Sequence, residues 1–239
     1  METINRTATS LINIGAKGAP KKICEHKLET NSTLIIIENK VYEESIIQLL
    51  KKIKLKENVN IRCSNFAEEA DRENNLQLEL KLNILSGHYS QILCIADGDE
   101  TPRIQFDRLI QILKELEYDI PNCQMDKKGT IIKKSGKATI GIWIMPNNKD
   151  KGTYADFYLT SALIDNKLRQ NIDDVLSKNK QNKLVKYKKT YDGAAKYFTY
   201  LAWQKNPTRS DKTLYTDKTF NTETQLFTQF KNWITTLLR

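Results

Sequence analysis

Short apolar runs alternate with helical stripes along most of the chain, and this alternation is its main structural signal. Residues 34–37 and 92–96 are continuous apolar runs, which are typical of strands buried on both faces. Apolar residues at helical spacing follow each run, at 46–53 and at 106–116. A shorter run at 59–63 predicts another strand. Repeated strand–loop–helix units predict an α/β fold with a largely parallel central sheet flanked by helices.

Two later segments add elements to this core. Residues 76–85 fit two patterns, because their leucines alternate as in a strand while Leu76, Leu80 and Ile84 share one helical face. Leucine favours helices, so we predict a helix there. Residues 127–146 contain two β-rich runs around Ser135-Gly136, and they predict a β-hairpin inserted in the core.

The last third of the chain is predicted to be mainly helical. We expect helices over 156–168, around 194–202 and over 226–237, with the Lys-rich segment up to Lys189 as a mobile or exposed connection. The apolar face of the last helix, together with Trp203, is expected to be core. The predicted organisation is an N-terminal extension (1–30), an α/β core (31–170), and a basic connection with C-terminal helices packing on that core (171–239).

Composition narrows the class of protein. With 239 residues the chain is long enough for one sizeable core. Its formal net charge is +9, and the lysines concentrate at 127–137 and 178–189. This excess makes a polyanion a reasonable partner, although a bias towards lysine codons or an ordinary solvated face would give the same pattern.

Cysteine, histidine and hydropathy exclude several other classes. The four cysteines are far apart and form no C-x-x-C pair, so neither a zinc ribbon nor a disulfide framework is indicated. With only two histidines, mechanisms built on a histidine base have little to use. No apolar segment reaches spanning length and no signal-peptide core is visible, so we expect a soluble cytoplasmic protein without a membrane partner.

The candidate chemistry lies in acids that follow two predicted strands. Asp97 and Asp99 flank Gly98 where one buried strand ends, and Glu38 follows another. Ends of parallel strands meet at one edge of a sheet, and Mg²⁺ takes carboxylate oxygens together with waters and phosphates. The other explanation is a helix start, because Thr101 and Pro102 form an N-cap and first-turn pair and acids favour that end of a helix.

The order of these motifs resembles the TOPRIM superfamily, which topoisomerases, primases and OLD-family nucleases share. In that superfamily a Glu ends the first strand and an Asp-x-Asp ends a later one. Residues 96–102 (ADGDETP), 141–148 (GIWIMPNN) and 152–157 (GTYADF), with Leu201–Gln204 and the Phe230-x-x-Trp233 pair, resemble successive signatures of a prokaryotic TOPRIM-like family. The resemblance covers about residue 31 to the end.

The resemblance implies a nuclease that depends on Mg²⁺ or Mn²⁺. It assigns metal binding and catalysis to Glu38, Asp97 and Asp99. Asp156, Glu43 and Glu100 are weaker candidate ligands, and Lys40 and Lys149 are candidate phosphate contacts. The implied partners are nucleic acid and an ABC-type ATPase of a phage-defence module. A homo-oligomer is left open.

Four departures from the family pattern bear on activity. Tyr42, Asn147 and Ala155 stand where the superfamily or the family tends to have acids, and Asn39 replaces the usual glycine after the first Glu. Fewer acids weaken a second metal site. The alternative function is therefore a TOPRIM-derived subunit that binds nucleic acid or protein without cutting.

A phosphatase of the haloacid-dehalogenase type is a further alternative. Residues 97–101 also fit its Asp-x-Asp-x-Thr loop, in which the first Asp is a nucleophile. That class needs a paired acid after another strand, and Asp173-Asp174 does not resemble a strand end.

Overall fold

One mixed β-sheet forms the centre of the fold. The computed structural model describes residues 11–14, 21–23, 32–55, 59–64, 72–120, 123–207 and 214–238, the first two ranges as backbone only. Within these residues the sheet has seven strands: β1 (Leu11–Ile14), β2 (Lys21–Ile23), β3 (Ser32–Ile37), β4 (Val59–Cys63), β5 (Tyr89–Asp97), β6 (Thr130–Ile132) and β7 (Thr139–Met145). Their order is β2-β1-β4-β3-β5-β7-β6.

The four inner strands are parallel, as predicted. β3 pairs with β4 and β5, and β5 pairs with β7, all in parallel, whereas β1, β2 and β6 join antiparallel at the two edges. The predicted hairpin is confirmed as β6–β7, and β7 continues the central sheet beside β5. Because Ile37 lies beside Ile95, the carboxyl ends of β3 and β5 are neighbours.

Helices cover both faces of the sheet. Those with described bounds are α1 (Glu43–Ile53), α2 (Arg72–Ser86), α3 (Pro102–Glu115), α4 (Tyr154–Ser161), α5 (Asn166–Gln181), α6 (Asp192–Ala202) and α7 (Gln225–Leu237). Successive strand residues point to opposite faces, so the apolar runs feed two cores. Leu34 and Ile36 pack in the core under α2 and α3, whereas Ile35 and Ile37 pack in the larger core under α1, α4, α6 and α7.

The ambiguous leucine-rich segment is a helix, which confirms the prediction. In α2, Leu76 and Leu80 are buried, whereas Leu78 and Leu82 are exposed. A period of two in a helix places alternate leucines on opposite sides, because each step of two residues turns about 200°.

The helix predicted over 156–168 is wrong, because α4 ends at Ser161. The Lys-rich segment predicted as a mobile or exposed connection is largely exposed, but it contains the regular helix α5. Asp165 starts α5, since its carboxylate accepts hydrogen bonds from the backbone N–H groups of Lys167 and Leu168. Lys178 and Lys180 therefore lie on a regular helix.

The terminal segments give mixed outcomes. On α7, Phe227, Phe230 and Trp233 are buried as predicted, but Trp203 is 45% exposed and is not core. The predicted extension at residues 1–30 is described only at β1 and β2, which lengthen the sheet beyond β4, and Cys24 lies outside the described residues.

Cysteines and hydropathy agree with the sequence where the structure describes them. Cys63, Cys94 and Cys123 are free thiols. Over the same part of the chain, the structure contains no helix with the length and apolar character needed to cross a membrane.

Candidate metal and nucleic-acid site

Glu38 and Asp97 meet at the carboxyl edge of the sheet. Glu38 directly follows β3 and Asp97 ends β5, and the backbone N–H of Asp97 donates to Glu38 Oε2 at 2.7 Å. The Glu38 N–H in turn donates to the Ile95 carbonyl at 3.0 Å, which continues the strand pairing. Both side chains are buried, at 3% and 7% exposure. The two acids singled out from distant parts of the sequence are therefore direct neighbours.

The Asp97 carboxylate is held by two donors. Its Oδ1 accepts from the backbone N–H of Tyr154 at 2.9 Å, and its Oδ2 accepts from the Asn39 side-chain amide at 3.3 Å. Tyr154 is the first residue of α4, whose amino end favours negative charge. Asn39 also accepts from the Val41 N–H at 3.0 Å and so caps the short 3₁₀ helix Lys40–Tyr42. Asn39 thus orients the Asp97 carboxylate.

The Gly98-Asp99 turn is fastened to the loop before α4. The N–H groups of Gly98 and Asp99 donate to the Gly152 carbonyl at 3.0 and 2.9 Å, and the Gly152 N–H donates back to the Asp99 carbonyl at 2.9 Å. Asp99 has φ +40°. A Cβ on Gly98 would overlap the Met145 carbonyl oxygen, so glycine is required by close approach here. Two separate sequence signatures therefore form one packed unit.

Asp156 belongs to the start of α4. Thr153 is the N-cap, and Asp156 Oδ2 accepts from the Thr153 N–H at 2.8 Å, which completes a capping box. A Cβ on Gly193, in the first turn of α6, would overlap Asp156 Oδ1. Burial of this carboxylate is the main cause that raises its pKa above the ordinary value of 3.8. The arrangement gives Asp156 a structural task in joining α4 to α6.

Tyr42 lies in an aromatic cluster beside Asp97. Its ring is 3% exposed, and the ring centroid lies 5.0 Å from that of Tyr154 and 6.1 Å from the stacked ring of Phe198. Burial raises the pKa of its hydroxyl, and the charge of Asp97 raises that pKa further. A neutral phenol therefore lies beside Asp97.

The weaker candidate ligands Glu43 and Glu100 lie on different elements of the fold. Glu43 begins α1 beside Cys63, where its charge adds to the burial that raises the pKa of that thiol. Glu100 lies in the turn before α3 and lines a pocket with Asp99. Ala155 is fully buried inside α4, where a carboxylate would need a partner.

The candidate phosphate contacts are surface lysines. Lys40 is exposed in the 3₁₀ helix that Asn39 caps. Lys149 Nζ lies 3.8 Å from Asp150 Oδ1 and its side chain is 62% exposed. Asn147 shapes the same turn by accepting from the backbone N–H groups of Lys149 and Asp150. Both lysines can reach solvent near the ends of β3 and β7.

The donor set fits a divalent cation held by few protein ligands. Mg²⁺ commonly takes one or two carboxylates together with waters and substrate phosphates, and Glu38 and Asp97 offer two carboxylates at adjacent strand ends. Among the described residues, no group of three or more acids, histidines or cysteines is arranged to hold a metal. The residues therefore suit a cation completed by substrate oxygens and do not suit a closed metal cage.

A pocket of about 190 Å³ opens directly beyond Asp97. One wall is formed by residues 98–101 and Gln105, and the other by Lys188 and Tyr191. The sequence placed Lys188 only in a general basic cluster, and it offered no sign of Tyr191. Lys188 and Tyr191 can be assigned to the pocket only from the tertiary structure, because about ninety residues separate the two walls in the chain.

No curated protein and no solved structure matches the chain. A family match covers residues 32–239, which include β3, the Glu38–Asp97 pair and every later element. The chain therefore belongs to the family described as "Protein of unknown function (DUF3226)".

Proposed function

We propose that the protein is a divalent-metal-dependent nuclease of TOPRIM type, which hydrolyses phosphodiester bonds of DNA or RNA. One observation carries the proposal: Glu38 and Asp97 meet at the carboxyl ends of adjacent parallel strands, β3 and β5. This is the edge at which open α/β sheets bind ligands. The motif order that resembles TOPRIM proteins supports the same assignment.

The acids of the site and the groups that hydrogen-bond to them have different proposed roles. Glu38 and Asp97 would hold Mg²⁺ or Mn²⁺ together with waters and substrate phosphates, and the ion would supply stabilisation of phosphate charge and a more acidic bound water. The Tyr154 N–H and the Asn39 amide keep the Asp97 carboxylate in one orientation. The formal charge of +9 favours association with a polyanion.

The resemblance extends the proposal to partners. Relatives of this type are associated with ABC-type ATPases in phage-defence modules, so we propose an effector subunit that such an ATPase controls. The partner would then decide when the nucleic acid reaches the carboxylates.

The test is metal-dependent cleavage by purified protein. Supercoiled DNA and structured RNA are incubated with Mg²⁺ or Mn²⁺, alone and with the ATPase encoded next to it. We expect cleavage that Glu38→Gln and Asp97→Asn reduce at least about 100-fold, a loss typical of removing one transition-state contact. Gln keeps an oxygen acceptor for the Asp97 N–H, so a folding defect is not expected.

Glu115→Gln is the matched control. Glu115 is a 44% exposed carboxylate at the far end of α3, where it pairs with Lys81 at 3.2 Å. Its loss should leave cleavage unchanged. Metal-dependent cleavage that survives Glu38→Gln would refute the assignment.

A binding subunit without nuclease activity is the second candidate. It is favoured by the use of Glu38 and Asp97 as acceptors for backbone N–H groups and by Tyr42 in the place of an acid. Salt-sensitive binding of nucleic acid with no cleavage, with or without the ATPase, would support it. The phosphatase alternative is less well supported, because Asp173 and Asp174 lie inside α5 and do not follow a strand.

A further inference from the structure

The pocket beyond Asp97 joins chemistry from two distant segments. The turn before α3 contributes Asp99 and Glu100, and the segment that leads into α6 contributes Lys188 and Tyr191. One wall is therefore acidic, whereas the other presents a cation and an aromatic ring. This asymmetry distinguishes the pocket from a general basic surface.

We propose that this pocket is a subsite for one nucleotide of a single strand, with the phosphate on Lys188 and the base on the Tyr191 ring. The proposal rests on the nuclease function proposed above and specifies its substrate. Lys188 is exposed and Tyr191 is half-buried, and both residues line the pocket. Base–aromatic stacking tolerates any sequence, since every base has a π-face.

The size of the pocket argues against a duplex. At about 190 Å³ it lies below the roughly 300–1,000 Å³ of sites that bury a whole drug-sized ligand, so it takes one base of a strand and not a base pair. One nucleotide-sized group can enter only if its base has left the stack, and a single strand meets this condition without the cost of unpairing. The facing carboxylates of Asp99 and Glu100 repel an anionic backbone, which keeps the phosphate on the Lys188 side.

A second ring lies near Asp97. Phe198 is 42% exposed, seven residues after Tyr191, and it stacks on Tyr42 next to Asp97. Seven residues correspond to about two helical turns, or about 10 Å along one side of a helix. A strand that stacks on Tyr191 would thus continue past Asp97 towards another aromatic surface.

The experiment measures binding, so that it does not depend on hydrolysis. A fluorescein-labelled oligothymidylate is titrated with the full chain in EDTA, and the dissociation constant is followed across salt concentrations. Lys188→Gln should weaken binding and lower the salt slope by about 0.7, the value for one single-strand phosphate. Lys186→Gln, an exposed lysine of the same segment outside the pocket, is the control and should keep the wild-type slope.

The aromatic contact has its own matched pair. Tyr191→Leu should weaken binding at least about fivefold, because stacking contributes about 1–3 kcal/mol per base. Tyr191→Phe keeps the ring and should bind as the wild type does. Equal weakening by both variants, or equal effects of Lys188→Gln and Lys186→Gln, would overturn the proposal. So would a blunt duplex that binds as tightly as the single strand.

The outcome is separable from that of the nuclease proposal. Cleavage that depends on Glu38, combined with binding that ignores Lys188 and Tyr191, would remove the subsite and leave the nuclease in place. Binding that depends on both residues, combined with no cleavage under any metal, would leave the subsite on a binding subunit.

Discussion

Asp97 is the residue on which the contacts of the site converge. Its N–H donates to Glu38, and its carboxylate accepts from Tyr154 and Asn39. Two carboxylates at neighbouring strand ends repel each other, and a divalent cation would replace that repulsion with attraction. The Asp97 side chain therefore holds neighbouring segments together and is also a proposed metal ligand.

Asp156 has a charge that its surroundings disfavour. Burial holds its pKa above 3.8 in the folded protein, so the neutral acid is stabilised by folding. This contribution is present below the unfolded pKa and is lost as the pH rises through the folded pKa. Asparagine keeps an oxygen acceptor for the Thr153 N–H but carries no charge.

We therefore expect Asp156→Asn to gain stability relative to the wild type as the pH increases from about 4 to about 7. Urea unfolding in EDTA at several pH values measures the difference in the free energy of unfolding. The other carboxylates titrate in both proteins and cancel. A difference that is constant or that shrinks with increasing pH would contradict the burial argument.

α2 shows how an element can satisfy two patterns at once. Its alternating leucines fit a strand, but as a helix they form one buried row and one exposed row. Leu80 is fully buried against the sheet, whereas Leu82 is 44% exposed. The buried row of leucines therefore supplies the stabilisation of α2, and the other row remains on the surface.

Leu80→Ala should lower the free energy of unfolding by about 2–5 kcal/mol, because a buried leucine is replaced by a cavity. Leu82→Ala removes the same atoms from an exposed position of the same helix and should cost less than about 1 kcal/mol. Chemical denaturation of both variants gives the comparison. Equal losses would mean that α2 does not pack through the Leu80 face.

α5 was not predicted because its apolar signal is thin. Only Leu168, Ile172 and Leu176 mark its inner side, and the remaining positions are mostly Asn, Asp, Gln and Lys. These three apolar residues are four positions apart, which is a helical spacing. Because many lysines surround them in the sequence, the segment nevertheless resembles an exposed connection. Packing of Ile172 into the core explains why a helix forms there.

The whole molecule places an acidic edge within a basic protein. The parallel order β4-β3-β5-β7 sets the carboxylates side by side, and the formal charge of the whole chain is +9, which favours association with polyanions. If a cation binds this edge in the folded state only, its binding free energy adds to the stability of the entire fold.

Mg²⁺ or Mn²⁺ should therefore raise the thermal unfolding midpoint of the wild type. A ligand at about 100 times its Kd adds about 2.7 kcal/mol to the free energy of unfolding. Glu115→Gln should show the same rise, whereas Asp97→Asn should not. Sodium chloride at equal ionic strength controls for screening, and an equal rise in Asp97→Asn would place the cation elsewhere.

Much of the architecture follows from local pattern. Apolar runs of strand length and helical stripes were sufficient to predict β3, β4, β5, the β6–β7 hairpin, α1, α3 and α7, because burial of one side or both leaves a periodic record in the sequence. Carboxylates directly after two such strands were enough to expect Glu38 and Asp97 at one edge.

Tertiary structure alone decided how that edge is built. The Tyr154 N–H that holds Asp97 lies 57 residues away, and Lys188, which follows α5, lines the same pocket as Asp99. Such contacts depend on where loops return after crossing the sheet, and a local pattern of residues contains no record of distant neighbours. For the same reason, the acids of this site could be identified from the sequence, whereas the Tyr154 N–H donor, the Tyr191 ring and the Lys188 side chain could be assigned to it only from the tertiary structure.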